Sequence, residues 1–118
     1  MRPAKDSDFF IELPGVGIFR FGRRTFLDRA KIRSEFLRIT KELGDDDLEL
    51  SSYAAAISVH KVLCVDAPAG WDDIESIELG DDTDAKIFEL YQLLQDKELT
   101  FRSGAIDGSE APRPGVSQ

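Results

Sequence analysis

The segment Tyr53–Val65, YAAAISVHKVLCV, constrains the fold more than any other part of the chain. At the helical period its apolar side chains occupy most of the circumference, and its alanines allow a neighbouring backbone to come close. Such a helix has to be surrounded by other elements. We therefore expect a central, buried helix that begins after a cap at Asp47 and ends near Val65, before the helix breakers Pro68 and Gly70.

Two short runs near the start of the chain alternate as β-strands do. DFFIEL at 8–13 and IFRF at 18–21 flank a Pro-Gly turn, which predicts a hairpin with Phe19 and Phe21 on its covered face. Two strands alone are marginally stable in water, so the hairpin must lie on helices or on another chain. Its edges are candidate docking sites for a further strand.

A basic amphipathic helix is expected between the hairpin and the central helix. Thr25 is the expected N-cap, with Asp28 three residues later, and Gly44 is the expected stop. The apolar side chains form two arcs: Phe26, Leu27, Ala30 and Leu37, and then Ile32, Phe36, Ile39 and Leu43. One arc suffices for packing on one neighbour. We therefore expect the second arc to be available to another molecule.

The rest of the chain completes one small domain. Trp71 is expected to fold back onto the core, and a third helix near residues 83–99 carries a core stripe of Ile87, Leu90, Tyr91 and Leu94. The last stretch is rich in Gly, Pro and Ser. The predicted fold is α+β and mostly helical: a flexible N-terminus at 1–7, a globular domain at 8–101 with an N-terminal β-hairpin and about three helices, and a disordered tail at 102–118.

Charge is divided unevenly along the chain. Residues 1–41 carry ten basic and five acidic side chains, whereas residues 42–98 carry three basic and sixteen acidic ones. Seven of the fifteen Lys and Arg residues fall within Phe19–Arg38. The basic part can pair with the acidic part of the same chain, bind an acidic protein partner, or contact nucleic acid. Nucleic acid is disfavoured because the acidic segment would repel phosphates.

No catalytic, metal-binding or cofactor-binding pattern is present. His60 and Cys64 stand one helical turn apart, but no third group orients them, and we expect packing roles for both. A calcium loop starting at Asp82 fails because Lys86 and Ile87 occupy positions that need a ligand and a Gly. The chain also lacks an apolar run long enough to span a membrane. We expect a non-enzymatic protein without a small-molecule substrate, and its single cysteine fits a reducing cytoplasm.

The basic helix carries the candidate binding surface. Its positive side chains would fix the register of a partner and its second apolar arc would supply the contact area. The candidate partner-binding residues are Arg23, Arg24, Arg29, Ile32, Arg33, Phe36 and Ile39.

The order of these elements resembles a known family. A short strand precedes the basic helix FRFGRRTFLDRAKIRSEFLRIT, the central helix runs into DAPAGWDD, and an amphipathic helix with IFELYQLLQDKE follows. Over residues 8–102 this pattern resembles the tail assembly chaperones, or related minor tail proteins, of long-tailed bacteriophages and prophages.

The resemblance implies a cytoplasmic, often self-associating protein that binds the tape-measure protein and helps recruit tail-tube subunits. It also implies that a longer frameshifted form can exist. Two alternatives stay open: a minor virion protein retained in the particle, and a nucleic-acid-binding regulator that uses the basic helix.

Overall fold

The computed structural model describes residues 2–41, 47–80 and 82–107, with side chains to Arg102. Its strands are β1 (Phe9–Leu13), β2 (Gly17–Phe21) and β3 (Cys64–Asp66), and its helices are α1 (Phe26–Thr40), α2 (Leu48–Leu63) and α3 (Thr83–Asp107). The α+β, mostly helical fold with an N-terminal hairpin is confirmed. No helix in these residues is both long enough and apolar enough to cross a membrane.

The hairpin forms around the predicted Pro-Gly turn. Val16 N donates to Leu13 O at 3.0 Å, and Gly15 has the positive φ of 83° that the turn needs. β1 and β2 pair antiparallel, with Ile11 opposite Phe19. The alternation places Phe19 and Phe21 on the covered face, where both are fully buried, so the predicted orientation of β2 is confirmed.

A third strand is the element that the sequence pattern missed. The central helix was expected to end near Val65, but α2 ends at Leu63 and the chain passes directly into β3 at Cys64. β3 pairs antiparallel with β2 in the order β1-β2-β3, with a register irregularity between Arg20 and Phe21. A short apolar run suits a buried helix end and a strand equally, and pairing with β2 decides between them.

The core lies between the sheet and two helices. Phe9, Ile11, Leu13, Phe19 and Phe21 project from the sheet onto Val59 and Leu63 of α2 and Leu90 and Leu94 of α3. A smaller cluster joins Ala56, Ile74 and Ile87, and Trp71 packs against both. The ring of Trp71 meets that of Phe19 edge-on at 5.9 Å, which confirms that the loop after β3 folds back onto the core.

The ends of the helices differ from expectation in part. Asp47 caps α2, with Leu50 N donating to its carboxylate at 3.0 Å, as predicted. α1 ends at Thr40, and the expected stop at Gly44 lies outside the described residues. α3 continues past the expected end at Leu99 to Asp107, so its last turns enter the segment 102–118 that was expected to be a tail. Residues 108–118 lie outside the described residues.

Replacing a buried and an exposed phenylalanine tests this core. Phe21→Ala should lower the free energy of unfolding by about 3–5 kcal/mol, because it removes a fully buried ring and leaves a cavity. Phe26→Ala, at a side chain that is 85% exposed, should change it by less than about 0.5 kcal/mol. Urea denaturation curves measure both. Equal losses in the two variants would contradict this assignment of the core.

Candidate partner-binding surface

α1 is fixed at its start by a capping box. Thr25 Oγ1 accepts from Asp28 N at 3.1 Å, and Thr25 N donates to the Asp28 carboxylate at 2.8 Å. These two bonds satisfy backbone donors that a helix N-terminus otherwise leaves open. The predicted N-cap is therefore confirmed. Asp28 is buried, because it caps the backbone and also pairs with Arg2.

Arg2 ties the start of the chain to this corner of the fold. Its guanidinium donates to the Asp28 carboxylate at 2.8 Å and to Arg23 O at 3.2 Å, and its backbone N–H donates to Cys64 O at 3.4 Å. A Cβ on Gly22 would collide with the guanidinium end of Arg2, so a larger residue there would force the arginine to move. Residues expected to be a flexible N-terminus thus position the beginning of α1.

The ion pair shifts the titration of Asp28. Burial alone would raise the pKa of this carboxyl, but the hydrogen bonds from Arg2 and Thr25 outweigh burial and hold the pKa below its ordinary value of 3.8. A carboxyl with a depressed pKa stabilises the folded state fully above its ordinary pKa. That stabilisation is lost as the pH falls through the lower pKa of the folded state.

Most of the candidate partner-binding residues come together in a groove between the helices. α1 packs mainly on α2, and α3 packs on β1 and α2. A groove of about 250 Å³ lies between them, and we call it the α1–α3 groove. It is lined by Arg24, Arg29, Ile32, Arg33, Phe36, Ala55, Val59 and Tyr91. Five of the seven candidate residues therefore line one surface.

The other two candidates, Arg23 and Ile39, do not line this groove. Arg23 stacks over the ring of Phe101 with 3.9 Å from its guanidinium carbon to the ring centre. Ile39 is half-buried and does not line the groove. Ala55, Val59 and Tyr91 line it too, and the sequence pattern assigned the last only to the core. A stripe of apolar residues that contacts two neighbours has the same sequence pattern as one that contacts a single neighbour. The groove role of Tyr91 was therefore not visible in the sequence.

The assignment of the two apolar arcs of α1 needs correction. Ile32 and Phe36, expected to be free, are half-buried, and Ile32 packs against the main core. The uncovered arc is the other one: Phe26, Leu27 and Leu37 are 85%, 62% and 53% exposed. Helical periodicity separates two arcs but does not say which one meets α2. Apolar surface therefore remains on both sides of this helix.

Part of the positive charge is used within the molecule. Arg38 pairs with Glu35 and Glu75, and Lys61 shares Glu75, which joins α1, α2 and the loop before α3. The hydrogen bonds from Arg38 and Lys61 hold the pKa of Glu75 below its ordinary value against the effect of burial. Of the three possible uses of the basic segment, pairing with the acidic half of the same chain therefore occurs at Arg38 and Glu75.

Other basic side chains lack such partners. Among the described residues, no carboxylate lies within 4.0 Å of Arg29, Lys31 or Arg33. Arg29 and Arg33 line the α1–α3 groove, whereas Lys31 lies on the other side of α1. The groove thus combines an apolar floor with cationic walls that remain open to an acidic partner.

A larger cleft of about 410 Å³ lies on that other side of α1. Arg2 and Asp28 in its wall are paired with each other, and Glu35 pairs with Lys61. Because most of its charged groups are already neutralised, this cleft is the weaker candidate.

His60 and Cys64 are packed within the core, as predicted. His60 Nε2 lies 2.9 Å from Trp71 O, and its ring meets Phe19 and Phe21 edge-on. Burial raises the pKa of the Cys64 thiol to about 12, so the thiol stays protonated near neutral pH. Within the described part of the chain, His, Cys, Asp and Glu form no group of three or more that could hold a metal ion.

Comparison of the chain with protein-family models, with curated proteins and with solved structures finds no match. The α1–α3 groove therefore has to be interpreted from its own geometry.

Replacing Asp28 tests the anchor of this surface. Asp28→Asn keeps an acceptor for the cap but removes the charge facing Arg2, and we expect a loss of about 1–3 kcal/mol in the free energy of unfolding at pH 7. Asp6→Asn, at an exposed carboxylate, should have little effect. Urea curves from about pH 5 down to about pH 2 should show a smaller acid-dependent loss in Asp28→Asn than in the natural protein. Identical pH dependence would contradict the proposed role of the Arg2–Asp28 pair.

Proposed function

We propose that this protein is a non-catalytic assembly chaperone or adaptor of phage tail morphogenesis. It binds the tape-measure protein and tail-tube subunits in the cytoplasm of the host cell. The proposal joins two independent arguments. The order of elements resembles that of tail assembly chaperones, and the α1–α3 groove has the chemistry of a surface that binds an amphipathic helix.

One observation carries the second argument. Ile32, Phe36 and Tyr91 are each half-buried and line the same groove. Part of their apolar surface is therefore exposed, and a partner side chain can cover it. The apolar face of an incoming helix contacts such a floor at positions three and four residues apart. Ala55 on the floor leaves room for a close approach.

A tape-measure protein supplies the matching chemistry. It is a long, mostly helical chain whose apolar stripes would aggregate if left bare, and a groove of this kind shields one stripe at a time. The net charge of −8 of the present chain keeps the loaded complex dispersed. The exposed Phe26, Leu27 and Leu37 provide a second contact area for tail-tube subunits or for another copy of the chain.

Charge and shape changes in the groove test this function by co-expression with the tape-measure protein of the same phage. Phe36→Asp combined with Arg33→Glu should abolish co-purification, because it places negative charge on the floor and the wall. Arg29→Glu with Arg33→Glu changes exposed residues only and should also weaken capture strongly. Lys31→Glu reverses a charge on the other side of α1 and should retain capture.

Circular dichroism should show the same helical content in all these variants. Normal capture by both groove variants would refute this surface assignment. The alternatives have their own outcomes: a protein found by mass spectrometry in purified particles is a minor virion component, and binding to DNA that persists near physiological salt indicates a regulator.

A further inference from the structure

A second cleft adjoins the α1–α3 groove and has a different chemistry. It has a volume of about 330 Å³, lies where α1 begins and α3 runs past it, and shares Arg24 and Arg29 with the groove. We call it the arginine cleft. Its lining is Arg23, Arg24, Thr25, Phe26, Arg29, Glu98, Phe101 and Arg102.

Four guanidinium groups face one carboxylate in this cleft. Arg24 donates to both oxygens of Glu98, with distances of 2.9 and 3.2 Å, and Arg23 stacks on Phe101. No carboxylate of the described residues lies within 4.0 Å of Arg29 or Arg102. The cleft therefore has unused capacity for anions.

Glu98 binds Arg24 in the way that the carboxylate of a partner would. Its carboxylate makes the bidentate, charge-assisted contact that an incoming acidic side chain would make with Arg24. The pair is partly open to solvent, with side chains 30% and 18% exposed, so exchange of one carboxylate for another costs little. Glu98 is thus an internal competitor for the site.

The neighbouring groove decides between a protein and a nucleic acid as the source of the anion. The floor beside Arg24 and Arg29 is apolar, with Ile32, Phe36 and Val59, and an amphipathic helix covers such a floor while its acidic residues reach the arginines. A polyphosphate chain would instead have to pass the carboxylates of Asp96 and Glu98 on α3. A helix that carries single carboxylates brings fewer negative charges near Asp96 and Glu98 than a phosphate chain does.

We propose that the arginine cleft is a carboxylate-binding site for acidic side chains of a helical protein partner, and that Glu98 leaves Arg24 when a partner carboxylate takes its place. This inference rests on the proposed function in one respect: the same partner places its apolar side chains in the α1–α3 groove. It adds the chemistry of that partner, a helix whose apolar stripe is flanked on one side by Asp or Glu.

Synthetic helical peptides test the site directly with the full-length chain. Three peptides share one apolar face and carry Glu, Gln or Lys at the flanking positions, and fluorescence anisotropy measures their affinities at low and physiological salt. The Glu peptide should bind most tightly and the Lys peptide most weakly. The advantage of Glu over Gln should shrink as the salt concentration rises.

Substitutions in the arginine cleft should change the affinity for the Glu peptide in opposite directions. Glu98→Gln removes the competitor and should tighten binding of the Glu peptide about two- to fivefold, with little effect on the Gln peptide. Arg29→Gln and Arg102→Gln should each weaken the Glu peptide by a similar factor. Lys31→Gln, outside both the cleft and the groove, should change neither peptide.

The outcomes separate this inference from the proposed function. Equal affinity for the Glu and Gln peptides, or no gain in Glu98→Gln, overturns the carboxylate site but leaves a groove that captures apolar helices. No binding of any peptide overturns the carboxylate site, and the proposed function falls only if capture of the tape-measure protein fails as well. Duplex DNA that displaces the Glu peptide at physiological salt would show a phosphate site instead, which also overturns the proposal.

Discussion

The rest of the structure depends on α2, which packs against the sheet and α3 and also against α1. Its Val59 and Leu63 pack against the sheet and α3, while α1 packs along it as well. α3 is held to the hairpin, with Phe101 against Phe9 at 5.0 Å and Lys86 donating to Pro14 O at 2.7 Å. Both α1 and α3 thus pack on α2, α3 is held to the hairpin as well, and the Arg24–Glu98 pair spans the gap between the two helices. The α1–α3 groove is the space that this arrangement leaves over α2.

The charge pattern follows the same division. Arg2, Arg20 and Arg38 neutralise carboxylates of the same chain and hold the hairpin, α1 and the loop before α3 in place. The arginines that face the groove and the arginine cleft are less completely paired. Positive charge therefore has two roles in one short segment: some of it fixes the fold, and some of it stays available for a partner. Among the described residues, the acidic half supplies partners for Arg24 and Arg38 but none for Arg29 or Arg33.

Periodicity and turn chemistry predicted most of the elements, because those depend on neighbours in the sequence. The Pro-Gly turn, the caps at Thr25 and Asp47 and the buried face of β2 are local features of this kind. β3 was missed because Cys64–Asp66 becomes a strand only by pairing with β2, which is distant in sequence. The length of α3 was underestimated because residues 100–107 show only a weak helical pattern in the sequence. In the structure the helix continues through them to Asp107.

The candidate site was predicted in part for the same reason. The charges and the arc of Ile32 and Phe36 were visible in the sequence, but the floor residues Ala55 and Val59 come from another helix and were not. The exposed arc was assigned to the wrong side of α1 because helix packing, and not periodicity, chooses the face that meets α2. The burial of Asp28 depends on Arg2, which is far from it in the chain.

The central claim is that the floor of the α1–α3 groove is open in the free protein and covered in the complex. A cysteine placed at Ala55 reports on that floor, since the only natural thiol, Cys64, is buried and its raised pKa of about 12 keeps it unreactive. Our account predicts that Ala55→Cys is alkylated readily in the free chain and is protected once the proposed partner, a tape-measure protein, is bound. Glu12→Cys, on the exposed face of β1, should react at the same rate in both states. Unchanged alkylation of Ala55→Cys in a fully formed complex would contradict the account.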